Sequence, residues 1–351
     1  MKLGIIGLPQ SGKTTLFNAL SGQEMAVGDY SRAEHKAVIK VPDDRVDRLS
    51  NLSQSKKMTH AEIEFLETAA FTGKGKNASG DLGSAHDLRL VDALVIVVDY
   101  FRADAKPEHD LQVLLDEMIL ADMMLLENNV DKLERTIQLT GRRERARELE
   151  LLKSCRAILN EERPISDLDL SEADRKTIRG YAFLTLKPQL VAFNISEDKI
   201  PRRREIFEQF DTFKKEGVRD IAVISGKIEM ELAQLDDDER AVFLEEMNIE
   251  QPAVDRFIQK AYHLLGLISF FTTGPPETRA WTIRKGTSAP KAAGAVHTDF
   301  ERGFIKAEVA SYDDYIVYEN LSALKAAAKL HLEGKEYIVC DGDVILFRFN
   351  L

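Results

Sequence analysis

The chain has 351 residues, enough for two or three domains, with 44% hydrophobic and 30% charged residues, an ordinary globular balance. Its 48 Lys and Arg against 59 Asp and Glu leave a formal charge of −11, which argues against broad, non-specific nucleic-acid binding but leaves room for a local basic surface meeting structured RNA. The apolar run Ala93–Val98 is far too short to cross a bilayer, so no membrane partner is expected. The first strand begins almost at once, so no signal peptide is expected. Cys155 and Cys340 match no metal spacing and are expected as packing residues in a reduced, cytoplasmic compartment.

Met1-Lys2-Leu3-Gly4-Ile5-Ile6 reads as a buried strand, and Thr15 to Leu20 carries apolar residues at helical spacing. Between them Gly7-Leu8-Pro9-Gln10-Ser11-Gly12-Lys13-Thr14 fits G-x-x-x-x-G-K-S/T, a phosphate-cradling loop in the strand–loop–helix setting that it requires. Leu8, Pro9, Gln10, Ser11, Gly12, Lys13, Thr14 and Thr15 are expected to bind the anion, with backbone N–H groups turned inward at the glycines (Pro9 has none) and the helix N-terminus behind them. Lys13 reaches the β- and γ-phosphates, and the Thr14 hydroxyl ligates Mg²⁺.

Residues 21–36 read as a loop where a switch segment would sense the γ-phosphate. Ala37–Val41 follows as a strand, Val46–Leu52 as a short helix and Ala61–Ala70 as a strand running into a glycine-rich loop at 71–83. Ala93–Val98 is a continuous apolar run, as in a parallel strand buried on both faces. Residues 108–139 and 142–162 carry helical periodicity interrupted at Thr140-Gly141, which predicts a long helical hairpin; Met118, Met123 and Met124 on it are expected to pack in its core. Gln189–Asn194 and Asp220–Ser225 return to strands, 227–265 reads as mostly helical, and strands are expected at 269–272, 280–283, 337–340 and 344–347.

The C-terminal motifs narrow this further. Phe270-Phe271-Thr272-Thr273-Gly274-Pro275, Arg279 to Gly286, His297 to Phe304 and Asp341-Gly342-Asp343-Val344 resemble, in that order, the TGS domain of the YchF family of Obg-related P-loop GTPases and ATPases. The resemblance extends over the whole chain. It implies an α/β P-loop NTPase domain with a mostly parallel sheet (1–106 and 164–266), an inserted α-helical hairpin (107–163) and a C-terminal α+β, β-grasp-like TGS domain (267–351).

The same resemblance assigns site residues. Guanine-specific enzymes use N-K-x-D, whereas Asn194-Ile195-Ser196-Glu197 resembles the N-x-x-E of this family, which accepts ATP at least as well as GTP. A longer Glu197 displaces the carboxylate from the paired guanine donors, which lowers discrimination. Ser225-Gly226-Lys227 resembles the next base-contacting loop; Ser225 reads equally as an ordinary helix N-cap. At the γ-phosphate loop the family's D-x-A-G appears as Glu67-Thr68-Ala69-Ala70, leaving Glu67 to hold Mg²⁺ through a water and Ala70 to donate its N–H. Phe71 stands where Ras-like enzymes place a water-orienting Gln, so slow hydrolysis is expected. Gln10 replaces an Asn that ligates a monovalent cation in related GTPases. Ser31 aligns with the Mg²⁺-sensing Thr, and nearby His35 is expected to be solvated rather than a general base.

Arg142, Arg143, Arg145 and Arg147 crowd the hairpin tip, and Arg202, Arg203 and Arg204 follow the base loop. They read either as ribosomal-RNA phosphate contacts, given the family's association with ribosomes, or as solvated residues paired with Glu144, Glu148 and Glu205. The reading is a slow Mg²⁺-dependent ATPase, possible GTPase, whose nucleotide state regulates ribosome association. The alternatives are a nucleotide-binding scaffold with negligible hydrolysis and an RNA or signalling-nucleotide sensor acting through the TGS domain.

Overall fold

The computed structural model describes residues 1–23, 35–67, 87–140, 145–247, 249 and 251–350. Expectations for Ser31, Ala70, Phe71, Arg142 and Arg143 fall outside them.

The apolar start of the chain forms β1 (Lys2–Gly7) and passes through the glycine loop into α1 (Lys13–Ser21), which ends at a left-handed Gly22 whose N–H bonds the Asn18 carbonyl. Then come β2 (His35–Lys40), α2 (Asp44–Leu52), β3 (Met58–Thr59), β4 (Glu62–Glu67) and β5 (Ala93–Tyr100). The long α3 (Pro107–Thr140) and α4 (Ala146–Asn160) precede β6 (Gln189–Ile195) and β7 (Arg219–Ile224). Three helices over 226–264 lead to β8 (Leu267–Thr272), β9 (Thr278–Arg284), β10 (Phe304–Ser311), β11 (His331–Glu333) and β12 (Asp343–Phe349).

Two compact units result: residues 1–37 with 64–254, and 38–63 with 255–351. The first sheet runs β2-β4-β1-β5-β6-β7, with every pairing from β4 to β7 parallel. Because β5 and β6 are buried on both faces, they read as unbroken apolar runs. Ile96, Val98, Val191 and Phe193 pack with Leu111, Leu114 and Met118 of α3. The loops after β1, β5 and β6 leave the carboxyl ends of adjacent strands, where open α/β sheets bind ligands.

The hairpin helix α3 has 34 residues, about 50 Å at 1.5 Å per residue. Its Leu126, Val130 and Leu133 share a core with Leu152, Cys155 and Leu159 of α4, and Glu134 pairs with Lys153 at 2.6 Å. Met118 is buried and Met123 half-buried, but Met124 is 41% exposed, so the methionine stripe is only partly core.

The second unit holds the sheet β11-β10-β12-β8-β9-β3 around Phe270, Ile283, Ala292, Val309 and Phe347. Residues 38–63, which the sequence boundaries assign to the nucleotide domain, pack here. Ser55 Oγ donates to the Gly274 carbonyl at 2.8 Å, Lys56 N–H to the Pro275 carbonyl, and β3 pairs with β9. The strand expected at 337–340 does not form. Ile338 makes one isolated bridge to Ser288, while Tyr337 Oη and Cys340 N both donate to Asp343 Oδ2 at 2.8 Å and shape a turn. Cys340 is exposed rather than packed; Cys155 is buried as expected.

Candidate functional site: the phosphate loop and the base loop

Gly12 has φ 90°, and a Cβ there would collide with Asn194 Nδ2. At Gly7 a Cβ would lie 2.6 Å from Ser11 Oγ and 2.5 Å from the Val97 carbonyl oxygen. Gly7 is therefore required by close backbone approach, and Gly12 by its left-handed turn and the Asn194 side chain against it. Gln10 also adopts a left-handed conformation, φ 64°, without being glycine, so the loop stores strain between its two glycines. Gly12 is the N-cap of α1 and no side chain caps that end, so its first N–H groups remain available to an anion.

Lys13 folds back over the loop, its Nζ donating to the Gly7 and Leu8 carbonyls at 3.0 Å each. Burial lowers its pKa from 10.5 to about 8, against the opposing pull of the Glu67 carboxylate. At the end of β4, paired directly to β1, Glu67 accepts a 2.7 Å hydrogen bond from Thr14 Oγ1 on Oε1. Its Oε2 is buried without a hydrogen-bond partner. A carboxylate oxygen left bare beside a threonine hydroxyl and a desolvated ammonium fits a divalent cation with its phosphate ligands.

Asn194, at the end of β6, joins the two loops. Its Nδ2 donates to the Ser11 carbonyl at 3.1 Å and its Oδ1 accepts from Gly226 N at 3.0 Å. A Cβ on Gly226 would stand 3.3 Å from Asn194 Oδ1 and 3.5 Å from the Thr15 methyl, which brings Thr15 into the same corner. Ser225 occupies the N-cap position but makes no cap bond, and its buried Oγ has no partner. Ser225 is thus the N-cap of the strand-to-helix turn, as one of its two readings expects, but its hydroxyl does no capping. Glu197 is half-exposed, with Lys227 Nζ 4.0 Å away. Thus Lys13, Thr14, Thr15, Glu67, Asn194, Ser225, Gly226, Glu197 and Lys227 belong to one neighbourhood, which the Leu8 carbonyl joins through Lys13; Leu8 is half-buried and Pro9 exposed. His35 begins β2, is half-buried and packs its ring 6.3 Å from that of Phe17.

Sequence reasoning missed Asp99 and Phe101. Asp99, 2% exposed, is the register partner of Asn194 and accepts the Phe101 and Arg102 backbone N–H groups on Oδ1. This turn sets the Phe101 ring 3.8 Å from where a Gly12 Cβ would stand. The available signal was an Asp ending a wholly apolar strand beside the phosphate loop.

At the hairpin, Arg145 is paired with Glu148 through Nε (2.6 Å) and Nη2 (2.7 Å), and Arg147 with Asp174 at 2.9 Å. Arg202 and Arg204 pair with Glu205 and Glu208. The pairs of Arg145 with Glu148 and of Arg202 with Glu205 are those expected, whereas Arg147 and Arg204 find Asp174 and Glu208 instead. Among the described residues no helix is long and apolar enough to cross a membrane.

Residues 267–350 match a family model for the YchF GTPase C-terminal region, described as a protein of unknown function (DUF933), and residues 2–129 match one described as a 50S ribosome-binding GTPase. Proteins named "Ribosome-binding ATPase YchF" from Pasteurella multocida and Bacillus subtilis are 37% and 36% identical to this chain. The alignments cover 100% and 99% of this chain and 99% of each relative. The solved structure of the Schizosaccharomyces pombe YchF GTPase superposes with a TM-score of 0.84 at 29% identity, covering 99% of this chain and 97% of its own. On identity, coverage and fold together, the chain belongs to the YchF family.

Proposed function

We propose that the chain binds ATP, and GTP less selectively than a guanine-specific enzyme would, and hydrolyses the bound triphosphate slowly. Its nucleotide state then governs association with the ribosome in the cytoplasm. The observation that carries this reading is the Thr14–Glu67 pair with its bare, buried Oε2, set beside a desolvated Lys13. The names of the full-length relatives support the ATPase and ribosome assignments.

In this reading Lys13 exchanges the Gly7 and Leu8 carbonyls for β- and γ-phosphate oxygens, and the N–H groups from Gln10 to Thr15 surround the phosphates. Thr14 and Glu67 would hold Mg²⁺, with Ser31 as a third group; when bound, the ion neutralises phosphate charge. Both side-chain polar atoms of Asn194 are already committed to Ser11 and Gly226, so Asn194 positions the two loops. Base choice falls to Glu197, with Phe101 offering an apolar face. Ala70 in place of Gly and the apolar Phe71 leave water poorly positioned, which makes turnover slow. We assign nucleotide binding to 1–37, 64–106 and 164–254, ribosome contact to the hairpin at 107–163 and a regulatory surface to 267–351. At the hairpin, Arg142 and Arg143 act with Arg145 and Arg147, the latter two after release from Glu148 and Asp174.

A single-turnover assay with protein in excess over ATP and Mg²⁺ tests the enzyme. Slow phosphate release is expected, and none over hours would leave the scaffold reading. Reversing the charge of Arg142, Arg143 and Arg145 is expected to weaken co-sedimentation with ribosomes while ATP affinity stays the same.

A further inference from the structure

We propose that a cavity of about 450 Å³ beside the phosphate loop is a second ligand site, built for a small organic cation with an apolar body and a protonated amine, and coupled to nucleotide binding. Its apolar walls are Leu8 and Pro9 of the loop, Val97 of β5, and Val113 and Leu114 of α3. None of Gly12, Lys13, Thr14, Glu67 or Asn194 lines it, so it is separate from the phosphate and base positions. Its size lies within the ~300–1,000 Å³ usual for small-molecule pockets.

Two observations point to what it takes. Ser11 lines the cavity and is only 2% exposed, and its Oγ is buried with no hydrogen-bond partner. Buried hydroxyls are normally paired, and this one is an unsatisfied group in the wall between the cavity and Gly7 of the loop. The polar side of the cavity is acidic. Asp99 and Asp110 line it together with Arg102. The Arg102 guanidinium, hydrogen-bonded to Asp99 and with Asp104 and Asp110 nearby, is held above its ordinary pKa. One guanidinium among three carboxylates leaves negative charge over, and Asp99 is already occupied by Arg102 and two backbone N–H groups. Asp110 is therefore the counter-ion for an incoming ammonium, while His109 beside it adds a polar edge.

The coupling rests on the nucleotide reading above and runs through residues shared with it. Ser11 lines the cavity and gives its carbonyl to Asn194. Asp99 lines the cavity and holds the turn that sets Phe101 beside Gly12. A ligand that engages either residue changes nucleotide affinity, and nucleotide changes the ligand's affinity by the same factor.

Three probes of one shape and different charge test this on the full-length, nucleotide-free protein: tryptamine, tryptophol and indole-3-acetate. Titration followed by amide chemical shifts should give tryptamine a Kd on the order of 1 mM, as its size allows, with shifts at Ser11, Val113 and Leu114. Tryptophol should bind several-fold more weakly, and indole-3-acetate weakest. Val113→Phe, which fills the cavity from the helix side, should abolish binding. Asp110→Asn, at a helix surface where folding is not at stake, should remove the preference for the amine over the alcohol. Equal binding of all three probes, or binding that survives both substitutions, overturns the site. Saturating tryptamine should then change ATP affinity about five-fold. An unchanged ATP Kd with tryptamine bound overturns the coupling, whereas a failure to bind ATP at all, with tryptamine still bound, strikes the nucleotide reading instead.

Discussion

Two buried polar clusters of the first unit differ in how completely they are paired. At the hairpin base, fully buried Asp122 accepts from Arg89 Nη1 and Leu184 N on one oxygen, and from Thr185 N and Thr185 Oγ1 on the other. Arg89 in turn donates to the Ala121 and Ala182 carbonyls. At the nucleotide corner, Ser11 Oγ, Glu67 Oε2 and Ser225 Oγ are equally buried and have no partner. Burial of polar groups is tolerable in the first case because every lone pair is used. In the second it leaves a deficit that a charged, hydrogen-bonding ligand removes on entry. Stability and function are thus carried by different polar clusters within one fold.

Separating the two experimentally starts with the larger effect. Asp122→Ala strands a guanidinium and two amides in the interior, which should lower unfolding free energy by about 3–5 kcal/mol in urea denaturation. ATP affinity of the folded fraction should be unchanged. Lys13→Ala should do the opposite. Losing a charge-assisted contact to phosphate weakens ATP roughly 10- to 100-fold by calorimetry, while at neutral pH the nucleotide-free protein stays within about 1 kcal/mol of wild type. A fall in stability with Lys13→Ala, or in affinity with Asp122→Ala, would break the distinction.

The two clusters also differed in legibility. The phosphate loop is compressed into eight consecutive residues, Gly7 to Thr14, whose spacing alone dictates a backbone cradle. Buried parallel strands and long helices were readable because burial on two faces, or on one stripe, imposes its own period. Asp122 was not readable: a single acid in the helical run of α3 looks like a solvent-facing residue, and its partners are 33 and more than 60 positions away. Distance along the chain also hid the attachment of 38–63 to the C-terminal unit and the pairing of Arg147 with Asp174. Tyr337–Cys340 has strand-like composition, yet the Asp343 carboxylate draws it into a turn. Asn194 was found by motif, but its role in tying Ser11 to Gly226 needed coordinates.

The ammonium of Lys13 sharpens the contrast through pH. Its pKa is lowered from 10.5 to about 8 by burial, so it gives up its proton at lower pH in the folded, nucleotide-free state than in the unfolded chain. Between about pH 8 and 10.5 the unfolded chain binds more protons at this site. Its contribution to stability therefore rises with pH across that window and is absent below it. The wild-type minus Lys13→Met difference in unfolding free energy should climb by a few kcal/mol over that range. Phosphate reverses the preference, so ATP binding at pH 8.5 should take up roughly half a proton or more. Calorimetry in buffers of different ionisation enthalpy reads this directly, and Lys13→Ala should abolish it. Equal proton uptake by wild type and variant would mean that Lys13 does not meet the phosphates.

The smallest expected effect concerns the base. Glu197 is half-exposed and held only loosely by Lys227 at 4.0 Å, so its contribution to discrimination is modest and its replacement disturbs no core packing. Glu197→Asp shortens the carboxylate by one methylene and returns it toward the paired guanine donors. The ratio of GTP to ATP affinity should rise several-fold, within the roughly tenfold that one hydrogen bond to a charged group supplies. Stability should stay within about 0.5 kcal/mol, as for other surface changes. Because Asn194 is committed to Ser11 and Gly226, Asn194→Ala should lower ATP and GTP affinity together, whereas Glu197→Asp moves them apart. If both substitutions moved the two nucleotides in parallel, Glu197 would be another element of scaffold, and base choice would have to come from the Phe101 side of the pocket.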